Sequence, residues 1–241
     1  MAEAISDEAV SATLRRFAAA AAVVLEDPAA WLGDGDEPDG DQNPLERVAG
    51  AARGLLTGDR HPGTAQWSGL PVEDRVDWWV NRIRAVAAPI AATPRFFGVA
   101  ADRLPVQAAF GTAVAGLAVC AVAREHGVTA PEAWVPLLGR VLLERDLARP
   151  TDVGPAPQDD GSEPPVRDLG PVRRAAGGLW RLTRILWALN GIFDDRPRGA
   201  WAWRALGKLP VVGLAGGVLD ERGAVKRAAR ETAELVAAGA R

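Results

Sequence analysis

The chain has no tyrosine and only one cysteine, one methionine and two histidines among 241 residues, and of its 28 basic residues only Lys208 and Lys226 are lysine. The single cysteine, Cys120, excludes an intrachain disulfide. With only His61 and His126 beside it, a cysteine/histidine zinc site is excluded too. A reducing compartment fits this usage. The first eight residues carry Glu3, Asp7 and Glu8 and no basic side chain, where a secretory leader would be basic, so the expected location is the cytoplasm. No Gly-x-Ser-x-Gly elbow, Walker phosphate loop or dinucleotide-binding glycine pattern occurs, and no catalytic residue or cofactor is nominated. The basic C-terminal third has no zinc-finger or RNA-binding signature, so a nucleic acid is not an expected partner.

What is present is the material of a core: 48% hydrophobic and 24% charged residues, in the range of globular proteins. Charge is distributed unevenly. Residues 1–60 carry 5 basic and 12 acidic side chains, 61–170 carry 10 and 13, and 171–241 carry 13 and 6, giving −7, −3 and +7. The last third therefore suits an anionic surface, or the chain's own acidic beginning. The arginine and alanine bias matches a GC-rich bacterial genome.

Periodicity predicts an all-α multi-helix bundle. Ser6 is a suitable N-cap, followed by Asp7 and Glu8 at the positive end of a helix that places Val10, Leu14, Phe17, Ala21, Val24 and Leu25 on one face. A short helix over 45–56 is expected after an acidic loop, 33–44. A further helix begins near Val72 and buries Val76, Trp79, Val80, Ile83, Ala87 and Ile90, with Trp78 placed for a cation–π contact with Arg75 or Arg82. Leu104 to Ala123 is uncharged between Arg103 and Arg124. Its length approaches the ~20 residues that cross a bilayer, and it reads as a long apolar central helix, either core or inserted, with Gly111 and Gly116 allowing close approach. Cys120 lies within it as packing. Thr129-Ala130-Pro131-Glu132 has capping-box spacing, before a helix extending to about Leu147.

Pro150 to Pro171 contains six prolines and reads as a linker, dividing an N-terminal and central helical region, residues 1–149, from basic C-terminal helices over 172–241 that would pack on the same bundle. In the helix from Val172 to Phe193, Arg173, Arg174, Arg181 and Arg184 share one sector, and Val172, Leu179, Leu182, Leu186 and Leu189 the other. Trp180 and Trp187 lie along a boundary. Arginines, an apolar face and boundary tryptophans are what an interfacial helix uses at an anionic membrane, although a core-packing helix with a solvated arginine face has the same pattern. Leu209 to Leu219 is a glycine-rich apolar run too short to span. A last helix from Asp220 is expected to bury Val225, Ala228, Ala229, Leu235 and Val236.

Two acidic groups fall short of a metal site. Asp34, Asp36, Asp39 and Asp41 do not make a calcium loop: with Asp34 as the first position, the twelfth, where the bidentate glutamate belongs, is Leu45. Asp194 and Asp195 have no second acidic cluster at matching spacing. His126 precedes Gly127, which suits the C′ position of the helix before it.

The order Ala101-Asp102-Arg103-Leu104-Pro105, an apolar helix ending Val122-Ala123-Arg124-Glu125-His126-Gly127-Val128, and later Leu209-Pro210-Val211-Val212-Gly213-Leu214-Ala215-Gly216-Gly217 resembles the EcsC-like family of bacterial helical proteins over residues 72–236. His126 stands where that family has an aromatic. The resemblance implies a membrane-associated accessory protein linked to transport or secretion, with no catalytic residues to carry over. Three readings follow. One is a peripheral accessory protein on the cytoplasmic membrane face, binding an anionic surface or a membrane-protein complex through Arg173, Arg174, Trp180, Arg181, Arg184 and Trp187. The second is a helical protein–protein interaction module without membrane contact. The third is an enzyme of unrecognised type.

Overall fold

The computed structural model describes residues 6–26, 61–91, 104–158, 173–194 and 221–239, with side chains at some helix ends excepted. The described residues contain α1 (Asp7–Glu26), a 3-10 turn (Trp67–Gly69), α2 (Val72–Ala91), α3 (Leu104–Glu125), α4 (Pro131–Leu143), α5 (Arg173–Asp194) and α6 (Glu221–Gly239), and no strand. The all-helical bundle expected from the sequence is present. The acidic loop with Asp34, Asp36, Asp39 and Asp41, the helix over 45–56, and the Leu209 to Leu219 run lie outside the described residues. So does most of the 150–171 boundary.

Ser6 caps α1 as expected: its Oγ accepts from the Ala9 N–H at 3.3 Å, satisfying one of the donors left over at a helix start. Val10, Leu14, Phe17, Ala21 and Leu25 are buried, each large side chain contributing about 1.5–3 kcal/mol by leaving water. On α2, Trp79, Val80, Ile83 and Ala87 are buried, with Val76 packed beside them. On α6, Val225, Ala228 and Ala229 are buried, while Leu235 and Val236 are half-buried. Two threonines that enter the core hand their hydroxyls to their own helix. Thr183 donates to the Leu179 carbonyl and Thr232 to the Ala228 carbonyl, both at 2.7 Å.

The long apolar central helix is corrected. α3 has 22 residues, as does α5, so length does not set it apart. Among the described residues no helix is long and apolar enough to cross a membrane. Its lack of charge comes largely from alanine and glycine, which bring little hydrophobic surface per residue. Their smallness lets neighbours close in: α3 packs against α1, α2, α4, α5 and α6, and every residue from Ala113 through Ala123 is buried. A Cβ on Gly116 would stand 2.8 Å from Phe17 Cζ and 3.2 Å from Leu142 Cδ1, so this glycine sets the approach of α1 and α4.

Two expectations for α4 are also corrected. Its N-cap is Ala130, with no side-chain cap bond, so Thr129 and Glu132 do not form a capping box; Pro131, with φ already suited to a first helical residue, starts the helix. At its far end the helix stops at Leu143 instead of continuing to Leu147. Glu144 adopts φ 52°, in the left-handed region, and residues 144–149 return along α4. Leu147 is buried above Gly139, where a Cβ would lie 2.8 Å from Leu147 Cδ1 and 3.1 Å from the Arg145 carbonyl oxygen. Ion pairs flank this return: Arg140–Asp146 and Arg145–Asp7 at 2.8 Å, and Arg149–Glu132 at 3.1 Å.

Candidate functional site

Of the six residues that the sequence nominates, four have described side chains, all on α5. Trp180 and Trp187 are half-buried and pack against the core cluster. Arg181 is half-buried and Arg184 exposed. Arg173 and Arg174 open the helix, and their side chains lie outside the described residues. Leu179, Leu182 and Leu186 are buried, so the apolar sector drawn from the sequence is the one turned inward. Among the described side chains, α5 therefore buries its leucines, keeps Trp180, Trp187 and Arg181 half-buried, and exposes Arg184.

A second constellation, not nominated from the sequence, surrounds the turn after α3. The Gly127 N–H bonds the Arg124 carbonyl and the Val128 N–H the Ala123 carbonyl, both at 2.9 Å, with Gly127 at φ 87°. This is the Schellman pattern, and glycine meets its left-handed requirement without steric cost. The side chains around it join other helices. Glu125 takes an ion pair from Arg75 Nε and a hydrogen bond from Trp79 Nε1, each 2.8 Å. Arg75 also donates to the Glu125 and Leu70 carbonyls. Arg124 donates to the Leu25 carbonyl, where α1 ends and carbonyls lack helical partners. Trp134 Nε1 donates to the Val128 carbonyl at 2.6 Å. One corner therefore ties α1, α2, α3 and α4. The available signal was Arg75 and Trp79, one helical turn apart on one side of α2; their partner at Glu125 lies too far along the chain to read.

Next to it, Trp67, Trp78 and Trp79 stack edge-to-face, with centroids 5.2 and 5.1 Å apart. The Arg82 guanidinium lies 4.9 Å from the Trp78 ring centroid, the contact anticipated for one of the two arginines. Burial lowers the Arg82 pKa to about 10, which leaves it cationic at neutral pH. Burial pushes the Cys120 thiol up, leaving almost no thiolate for chemistry. Among the described residues no three histidine, cysteine, aspartate or glutamate side chains are grouped to hold a metal ion.

Compared with family models, with curated proteins and with solved structures, the chain matches none. The resemblance drawn over residues 72–236 accordingly rests on its short motifs alone.

Proposed function

We propose that the protein is a cytoplasmic helical interaction module that binds an acidic surface of another protein through the arginine side of α5. The observation that carries this reading is the orientation of that helix. Trp180 and Trp187, which would have to face lipid to anchor an interfacial helix, instead pack on the bundle's own core. Arg184 is exposed. Arginine with few accessible apolar anchors favours a polar, charge-complementary contact. The burial of Ala113–Ala123 supports the same reading, since the uncharged run is used within the fold.

Peripheral attachment to the inner membrane face is the second reading, favoured by the half-exposure of both tryptophans beside Arg181 and Arg184. A photo-crosslinking residue in place of Arg184, in cells, separates the two. Protein crosslinks that disappear when Arg173, Arg174 and Arg181 are changed to glutamate support a protein partner. Pelleting with anionic but not neutral vesicles, without protein crosslinks, supports the membrane reading. Absence of both signals would sink the two readings together.

A further inference from the structure

We propose that residues 144–149 are a two-state strap, docked along α4 or straightened into an extension of that helix. The local sequence favours the second state. Leu143-Glu144-Arg145-Asp146-Leu147-Ala148-Arg149 contains no glycine, proline or β-branched residue and includes several strong helix formers, and nothing in it signals a stop before Pro150. The structure nonetheless breaks the helix at Glu144, a non-glycine residue at φ 52°, where an L side chain crowds its own carbonyl.

Tertiary contacts hold the docked state. Leu147 is buried in a seat that exists because Gly139 has no side chain. Gly139 lies inside α4, where glycine weakens a helix, so the seat has a cost in the very element that carries it. Each ion pair around the strap has at least one solvent-accessible member: Arg140 and Asp146 retain 50% and 85% side-chain exposure, Asp7 70% against 29% for Arg145, and Arg149 56% against 26% for Glu132. Such pairs are weak and screened by salt. A strained turn and a glycine in the helix oppose one buried leucine, the packing of Val153 on the core, the backbone bonds from Glu144 N–H to the Arg140 carbonyl and from Arg145 N–H to the Gly139 carbonyl, and three ion pairs. The strap therefore moves only together with the residues that follow it, and the ionic part of the balance is the part that salt or a partner's charge can shift. Straightening uncovers the Gly139 seat and releases Asp7 at the start of α1.

The test is a distance measured by pulsed electron paramagnetic resonance between spin labels on Thr129→Cys and Ala148→Cys. Cys120 is fully buried, so the reagent reaches only the introduced thiols. Docked, the labels are close, because Arg149 reaches Glu132 at the start of α4. Straightened, eighteen helical steps from Ala130 to Ala148 separate them by about 27 Å. Gly139→Ala closes the seat while improving the helix, and it should move the population to the long, narrow distance; 1 M salt should do so partly in the parent protein, and Glu144→Gly should suppress that shift. A short distance that persists in Gly139→Ala and in high salt would overturn the proposal. A broad distribution in either condition would also overturn it, because the strap would then fray without becoming helix.

Discussion

Helices α3 and α4 both end on a residue at positive φ, yet the two ends are built from different materials. Gly127, at φ 87°, meets its geometry freely; half-buried hydrogen bonds from Arg75, Trp79 and Trp134 converge on Glu125 and Val128 around it, and Arg124 reaches from it to the Leu25 carbonyl. Glu144, at φ 52°, adopts the same region against its own sterics and is followed by ion pairs that face solvent. The first end is a junction whose parts lose bonds together. The second is a reversal whose parts are individually replaceable.

The largest effect should come from the junction. Glu125→Ala leaves Arg75 and Trp79 Nε1 without their shared acceptor in a partly buried setting, and is expected to destabilise by about 2–3 kcal/mol in chemical denaturation, below the roughly 3–5 kcal/mol for a fully buried pair. A change under about 0.5 kcal/mol, the size of an ordinary surface substitution, would erase the distinction between the two ends. Gly127→Val should cost about 1–2 kcal/mol from the left-handed conformation alone. Both variants should speed modification of Cys120 by a thiol reagent, because that buried thiol is reached only when the bundle opens.

Smaller effects are expected at the strap. Arg145→Gln, which removes the pair with Asp7, should change stability by less than about 1 kcal/mol and leave the Cys120 rate nearly unaltered. Glu144→Gly should stabilise by up to about 1 kcal/mol, because glycine relieves the turn while loosening the unfolded chain. The start of α4, where Arg149 meets Glu132, has a pH signature. A hydrogen bond to its own backbone N–H, aided by Arg149, holds the Glu132 carboxyl below its ordinary range. The unfolded chain therefore binds the proton more readily, and this contribution is present above the unfolded value, about 4.3, and lost as pH falls through the folded one. Acid titration of Glu132→Gln should show a shallower loss of stability than the parent; parallel curves would remove Glu132 from the account.

Local patterns proved readable where one helix or one turn decides the outcome. The Ser6 cap, the buried face of α1, the Trp78–Arg82 contact and Gly127 at the end of α3 all follow from spacing within a few residues. The return at Glu144 did not, because it depends on Leu147 meeting Gly139 and on Arg145 meeting Asp7. Thr129 misled for a related reason: Pro131 with its fixed φ begins the helix one residue later than the hydroxyl would require. On α5 the leucine sector is buried at Leu179, Leu182 and Leu186, while the side chains of Arg173, Arg174 and Leu189 lie outside the described residues. The sequence left open which side the tryptophans take, since a boundary position on a helical projection is compatible with both.

The Arg124–Leu25 bond joins groups 99 residues apart, and Phe17 sits over Gly116 at a similar remove. At ribosomal rates of about 5–20 residues per second, the first helix waits on the order of 5–20 s after its own synthesis for the α3 part of its seat, and longer for α4 and α5, against which it packs most. For that interval its phenylalanine and leucine face lacks its native partners, so the newborn α1 is a natural substrate for a holding chaperone, and slowing elongation between residues 26 and 194 should raise aggregation without any change in the finished fold.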